Sequence, residues 1–353
     1  MTAIRVINVD DNSWDSIVLS FQQYDVYYLR GYIRTFQIHG DGEPVLIYYE
    51  SKELRGIYVA MKRDIASIPC FAGKLKDNVL FDLVSPYGYG GFLLEGDKSE
   101  TNLSDFRQAF LQFVQDNNIV TDFVRYHPVL QNAEDLRSIF NVIDLGKTIS
   151  VDLSSEKIIW NNLTSKNRNM IRKAEKVGIV IKHSHDWDIF ETFIPIYNAT
   201  MDRDNAVDYY YFNQDFYRSI FEGLKGNYEI FYAEYQNKII SISIFLFANN
   251  QMHYHLSGSD ITYRNLAPGN LLLYKVACWG CTQGFKTFHL GGGIGSEEDN
   301  LYKFKAGFNR YSNNQFSIGK MIFDQNTYDK LVEIRSVDKN FDKKSYFFPL
   351  YRA

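Results

Sequence analysis

The chain has 353 residues, room for two domains at about 150 residues each, which argues against a single small binding module. A net charge of −4 and a pI near 6.0 argue against a dedicated nucleic-acid coat or a polybasic membrane binder, though not against a local basic patch. A hydrophobic share of 45% excludes wholesale disorder, and 26 Tyr, 27 Phe and 4 Trp make an aromatic excess that asks for a reason.

Met1 to Asp15 carries Asp10, Asp11 and Asp15 and no apolar core, so no signal peptide is expected. The longest apolar stretch, Ile239 to Ala248, is broken by Ser241 and Ser243 and falls far short of the roughly 20 residues a spanning helix needs. Cys70, Cys278 and Cys281 cannot all pair within one chain and make no disulfide framework. The expectation is a soluble cytoplasmic protein, at most peripheral to the inner face of the membrane.

In the first half, Pro44 to Tyr49 and Leu54 to Met61 are β-rich on either side of the polar Glu50 to Glu53, a hairpin signal. A tyrosine- and glycine-rich loop, Ser85 to Gly91, follows. A helix capped at Ser104 then places Phe106, Phe110, Phe113 and Val114 on one face. Asn117-Asn118 ends it, and Ile119 to Tyr126 reads as a strand. A helical stretch, Glu156 to Val177, comes next.

The second half repeats the order. Tyr228 to Tyr235, Ile239 to Phe247 and Met252 to Leu256 read as strands, Ser257 to Gly269 as a loop, and Asn270 to Gln283 as a helix stopped by Gly284. Lys286 to Leu290 is again a strand. The tail, Phe316 to Tyr351, adds a strand and a helix that pack back on the first domain. Element order alone implies two copies of one α/β architecture.

Arg264-Asn265-Leu266-Ala267-Pro268-Gly269 lies between a strand and a helix, where backbone N–H groups form an anion site. Small residues three and five positions after Arg264 allow close approach, and Asn270 opens the helix. The loop resembles that of the GCN5-related N-acetyltransferases (GNATs), Gln/Arg-x-x-Gly-x-Gly/Ala, which cradles coenzyme A. Here Pro268 removes one donor; the alternative is an ordinary helix-capping loop.

The run His289-Leu290-Gly291-Gly292-Gly293-Ile294-Gly295 implies close backbone approach or positive φ angles. It precedes Phe304-Lys305, where a lysine would hold a phosphate or an oxyanion, or simply be solvated.

Tyr254 to Ser259, Ala267 to Tyr274, Phe288 to Gly295 and Phe304-Lys305 to Phe308 occur in the order seen in FemABX proteins, and Ser165 to Gly178 resembles their basic helix. Asp25-Val26-Tyr27-Tyr28 is similar to their N-terminal region. The resemblance implies an α/β (α+β) fold of two tandem GNAT-like domains, each a mixed central sheet flanked by helices. The first would span 1–152 with 318–353 packed back on it, and the second 153–317 with the acyl-donor site. The family transfers amino acids from aminoacyl-tRNA to the peptide of a peptidoglycan precursor, and relatives encoded for surface polysaccharides acylate amino sugars.

The resemblance carries Phe304-Lys305 over as the pair at the reacting ester or the substrate phosphate. It carries Arg203, ahead of Tyr209-Tyr210-Tyr211, over as a precursor-binding arginine. The loop correspondence makes Arg264, Ala267, Gly269, Asn270 and Gly291 to Gly293 donor-binding candidates. Where several relatives have an acidic residue before proline, this chain has His127-Pro128, and the long helical arm of some members is absent.

Acyl transfer to an amine needs alignment, a proton acceptor and stabilisation of the tetrahedral intermediate. His127, His255 and Asp122 are the base candidates, each with the alternative of a structural role. No nucleophile elbow of the Gly-x-Ser-x-Gly kind occurs. Arg168, Arg172 and Lys176 share a helix face at i, i+4 spacing, and with Lys173 form a candidate tRNA contact or a solvated face. Cys278-Trp279-Gly280-Cys281 reads as core cysteines, and His183-Ser184-His185 and His253-Tyr254-His255 lack evident metal partners.

The leading expectation is an aminoacyl- or acyltransferase with no tightly bound cofactor and no metal, its donor aminoacyl-tRNA or acyl-CoA. The alternative class is a non-catalytic sugar- or peptide-binding relative, with Tyr87 and Tyr89 in the Pro86 to Phe92 loop stacking on the ligand.

Overall fold

The computed structural model describes residues 3–339 and 341–353. The chain divides into two compact units, one of residues up to Leu145 with Phe316–Ala353, the other Gly146–Gln315. Both boundaries fall inside long strands, Val142–Asp152 and Asn314–Ile322, rather than at 152 and 317.

In the first unit the sheet runs in the order Ala3–Asn8, Glu43–Glu50, Leu54–Asp64, Phe81–Val84, Ile119–Arg125 and Asn314–Ile322. The expected hairpin is there, with Pro44 opposite Met61 and Tyr49 opposite Gly56. Leu54–Asp64 parts between two partners: Leu54 to Ile57 pair with Leu93–Gly96, and Met61 to Asp64 with Phe81–Val84. The helix expected from Ser104 begins a turn earlier, as Glu100–Asp116, because Ser99 is the first residue outside helical geometry. It buries Phe106, Phe110 and Val114 on Tyr49, Tyr58 and Phe92.

The chain's end is sewn into this unit. Asp82 is fully buried; its Oδ1 accepts from Arg63 Nε at 2.7 Å, and its Oδ2 accepts from Arg352 Nε at 2.6 Å and the Tyr351 hydroxyl at 3.0 Å. A carboxylate between two guanidiniums is stable there only while both remain.

In the second unit the order is Val142–Asp152, Thr287–Gly291, Gln251–Ser259, Lys238–Ala248, Tyr228–Tyr235 and Val180–Ser184. All neighbours are antiparallel except Gln251–Ser259 with Thr287–Gly291. The helical stretch expected over 156–177 is two helices, Glu156–Asn162 and Ser165–Lys176, broken at Leu163-Thr164 where Thr164 caps the second. Ile171 and Ala174 of that helix pack with Leu271, Leu272 and Val276 of the helix Pro268–Thr282. The strand expected at 252–256 runs on to Ser259.

Two features open this sheet. The parallel pairing covers only Gln251 to His253 opposite Thr287 to His289, although Gln251–Ser259 runs on beside Lys238–Ala248. Each parting strand also carries a bulge: His255 is the extra residue between Leu256 opposite Ile244 and Tyr254 opposite Phe245, and Leu290 is the extra residue between His289 and Gly291 against Val142–Asp152. A bulge bends and twists its strand, so the two diverge. Gly291, at φ 80°, completes the turn of the second away from the first.

Two stability outcomes follow from the first unit. Asp82→Ala, which leaves Arg63 and Arg352 facing each other, should lower the unfolding free energy in urea by about 3 kcal/mol. Burial pushes the Asp122 carboxyl up to about 7 from 3.8, against the hydrogen bond from the Tyr58 hydroxyl. The folded state then binds a proton that the unfolded chain has released, so stability falls as pH rises from about 4 to about 7. Asp122→Asn should flatten that fall and raise the melting temperature at pH 8.

Candidate functional site

A cleft of about 780 Å³ opens where the strands of the second unit part. Its floor is the strand beyond the parallel pairing: Tyr254, Ser257 and Ser259, with Ser241 from the next strand. The bulge at His255 explains the spacing, since without the extra residue Tyr254 and Ser257 would face opposite sides of the sheet. The Ser243 hydroxyl donates to Ser257 Oγ at 3.0 Å. Burial pushes the Tyr254 phenol up, and hydrogen bonds with Ser257 and Ser243 oppose the shift, so the phenol keeps its proton at neutral pH.

One wall is the loop leading to the helix Pro268–Thr282. Asp260 caps the turn Ile261–Leu266 by accepting from the Thr262 N–H at 3.0 Å. The hydrogen bond from Lys238 pulls its carboxyl down to about 2, with Thr262 adding to the shift, so it is ionised. Ala267 adopts the left-handed conformation, φ 59° and ψ 44°, a position where the side chain costs about 1–2 kcal/mol. It offers no side-chain cap, and Gly269 and Asn270 behind it line the cleft.

The other wall comes from Thr164, Lys166, Asn167 and Met170 on the helix Ser165–Lys176 and its cap. Asn300, Leu301, Lys303, Phe304 and Gly307 around the short helix Asn300–Ala306 complete it. Asn270 Nδ2 donates to Asn167 Oδ1 at 2.6 Å, tying the two helix starts together. At the mouth, Arg203 ends the helix Trp187–Arg203. It donates from Nη1 to the Ser259 carbonyl at 3.1 Å and pairs with Asp204. Gly258 makes this possible: a Cβ there would lie 2.7 Å from the Tyr197 nitrogen, so only glycine lets the helix come so close.

The structure thus brings Arg203, Arg264, Ala267, Gly269, Asn270 and Phe304 together in one cleft. Others of the expected site residues stand elsewhere. Lys305 is 9% exposed and donates from Nζ to the Gly292 carbonyl at 2.6 Å, turned from the cleft that Phe304 lines. Burial pulls its ammonium down to about 8, with Asp299 opposing. Gly291 to Gly293 do not line the cleft. A Cβ on Gly292 would meet the Lys147 carbonyl at 3.0 Å, and one on Gly293 the Glu297 carbonyl at 2.0 Å. Close packing within the unit accounts for these glycines.

None of the expected bases lies in the cleft. His127 is fully buried in the first unit. Its Nδ1 accepts from the Leu130 N–H at 3.1 Å, which leaves the proton on Nε2, 3.3 Å from Asp25. Asp122 is in the same unit's core. Burial and neighbouring His253 push His255 down to about 3, so it is neutral, and it does not line the cleft. Tyr87 and Tyr89 are half-buried in the first unit, Tyr87 stacked on Phe36 and Tyr89 edge-on to Phe316. Tyr209 is exposed beside Tyr210 and does not line the cleft either.

The basic stripe is largely engaged within the unit. Arg168 donates to the Leu163 carbonyl at 2.7 Å, Arg172 lies over the Trp160 ring, and Lys173 donates to the Asn265 carbonyl at 2.6 Å, pinning the loop. Lys176 is exposed. His183 has a carboxylate partner that sequence proximity hid, Glu229 Oε1 at 2.8 Å. Cys278 and Cys281 are half-buried thiols on the helix Pro268–Thr282. Asn167, Tyr254, Ser257 and Asp260 are cleft residues that reading for charge and histidine passed over.

Residues 162–323 match the family model of an acetyltransferase (GNAT) domain. No protein of curated function matches the chain. Among solved structures it is similar in fold to FemX (TM-score 0.66, 13% identity, 92% of this chain and 99% of that one). It is similar also to L-PGS from Bacillus licheniformis (TM-score 0.53, 10% identity, 94% and 97%). A conserved protein of unknown function from Bacteroides thetaiotaomicron is a third neighbour (TM-score 0.54, 11% identity, 91% and 100%). No helix is long and apolar enough to cross a membrane among the described residues. The matched domain holds every residue that lines the cleft, so the cleft belongs to a GNAT-type acyltransferase domain, and the chain's fold is similar to that of FemX.

Proposed function

We propose that the protein is an N-acyltransferase that passes an acyl group from a coenzyme A thioester to an amine of a sugar or peptide precursor of the cell envelope. The observation that carries the reading is the cleft itself. The uncapped start of the helix Pro268–Thr282 stands in it with Arg264, Lys166 and Lys303, cations suited to a pyrophosphate. The resemblance of Tyr254 to Ser259 and Phe304-Lys305 to FemABX proteins, a family that acylates amines, supports an amine acceptor. An aminoacyl-tRNA donor has less support, because Arg168, Arg172 and Lys173 hold groups of the protein itself.

In this reading the acceptor amine attacks the thioester carbonyl, a C–N bond forms, and the C–S bond breaks as the tetrahedral intermediate collapses. Tyr254, kept protonated and wired to Ser257 and Ser243, gives its proton to the departing sulfur and is reprotonated by the one that the new amide nitrogen sheds. Ionised Asp260, with Asp204 beside it at the mouth, draws the cationic acceptor in, and the ammonium gives a proton to solvent before it attacks. Lys305 works at one remove: it anchors the Gly292 carbonyl and so holds the strand end that forms the opening.

The test is turnover with acetyl-CoA and with charged tRNA over a panel of amino sugars and muropeptides. Release of free thiol that depends on an acceptor is the expected result; transfer from charged tRNA alone would refute the donor assignment. With the active pair, Tyr254→Phe should lower kcat about 100-fold and leave the KM for the donor nearly unchanged. Lys305→Met should remove the rise in folding stability that Lys305 supplies from about pH 8 to about pH 10, where the unfolded chain still binds the proton that the folded chain has lost.

A further inference from the structure

Asn167 is 3% exposed and sits in the first turn of the helix Ser165–Lys176, lining the cleft. Its carboxamide oxygen is taken by Asn270 Nδ2 at 2.6 Å. Its own Nδ2 is buried and has no hydrogen-bond partner among the described residues. A buried amide donor left unmatched costs about 1–3 kcal/mol, so such a group in a core is rare without a purpose.

The groups packed around this donor give it no partner. Gly307 stands beside it: a Cβ there would come within 3.4 Å of Nδ2 and 3.1 Å of the Phe304 carbonyl. The Gly307 carbonyl accepts from the Thr164 N–H at 3.0 Å and is not paired with Asn167. Gly269 faces the Phe304 ring with space for a Cβ at 3.7 Å, so both glycines thin the wall at this point. Two independent features therefore meet: the starts of two helices, of 12 and 15 residues, and a buried unmatched donor between them.

The charge distribution says what the donor takes. The cations of the cleft, Lys166, Arg264 and Lys303, are exposed at its rim, where phosphates belong. Asn167 is neutral and deeper, and a neutral N–H donor out of water matches a neutral carbonyl oxygen better than a phosphate, whose desolvation it cannot offset. We propose that Asn167, held by Asn270, is a binding residue for an amide carbonyl in the arm of the acyl donor that links its phosphates to its sulfur. This rests on the thioester-donor reading above. It predicts uniform binding, the same in ground and transition states, and so a change in donor affinity rather than in kcat.

The experiment compares calorimetric binding of coenzyme A and of 3′-phospho-ADP, the half of the molecule that lacks the amide arm. Asn167→Ala and Asn167→Leu should each weaken coenzyme A about tenfold, leave 3′-phospho-ADP unchanged, and raise the donor KM with little loss of kcat. In the wild-type protein the Asn167 side-chain amide resonance should shift with coenzyme A and not with 3′-phospho-ADP, a readout that needs no variant. Equal affinity of wild type and variants for coenzyme A, or an equal loss for both ligands, overturns the assignment. A wild-type protein that binds neither ligand refutes the donor reading instead, which keeps the two failures apart.

Discussion

The second unit depends on the parting of two parallel strands. Thr287–Gly291 accompanies Gln251–Ser259 for three residue pairs and then leaves it, with a bulge on each strand at the point of departure. A sheet gives up ladder hydrogen bonds at such a place, and backbone polar groups so exposed need other partners. Part of the edge is repaired from within: Thr200 Oγ1 accepts from the Ser259 N–H at 3.0 Å, and Arg203 donates to the Ser259 carbonyl. The rest borders the cleft. The hydroxyl row on the cleft floor lies on the strand beyond that divergence.

Lys305 and the glycine run are best understood from that divergence. The family resemblance implies a place for them beside the reacting groups, and Lys305 is next in the chain to Phe304, which is in the cleft. On a short helix, however, adjacent residues point about 100° apart, so Phe304 and Lys305 cannot share a face. Lys305 instead reaches the Gly292 carbonyl just past the end of the departing strand, and Gly292 packs against the Lys147 backbone. The lysine thus fastens the strand in its turned-away course. Its burial is costly for an ammonium, and a single carbonyl with Asp299 nearby is what the fold offers in return.

Much of this was legible in the residues. The alternating apolar runs gave the hairpins, Gly284 gave a helix end, and Arg264 to Gly269 marked the loop on the cleft wall. The repeated order of elements matches two units that each carry a mixed sheet. What stayed hidden has physical reasons. A bulge has no signature in composition, so nothing in Tyr254-His255-Leu256-Ser257 announced that Tyr254 and Ser257 share a side, and the histidines drew attention instead. Asn167 sits among the basic residues of its helix, and nothing in the local sequence connects it with its partner Asn270, 103 residues away. His127, a base candidate by residue type, lies in the first unit with its Nδ1 accepting from backbone N–H groups and its Nε2 facing Asp25, surroundings that its sequence neighbours do not announce.

The aromatic excess separates the two units in chemistry. In the first, Leu54–Asp64 also parts between two partners, leaving Tyr58, Val59 and Ala60 at the fork. That fork is closed: all three are buried, Tyr58 packs on Phe92 at 4.8 Å between ring centroids, and its hydroxyl donates to Asp122. Phe92 in turn meets Phe106 and Phe110 edge-on. Large rings fill a space that ladder hydrogen bonds leave, and each brings apolar area with it. In the second unit the corresponding stretch carries serine and glycine, Ser257-Gly258-Ser259, too small to close the gap. The same backbone device therefore gives a packed core where aromatics follow the fork and a cleft where small residues do.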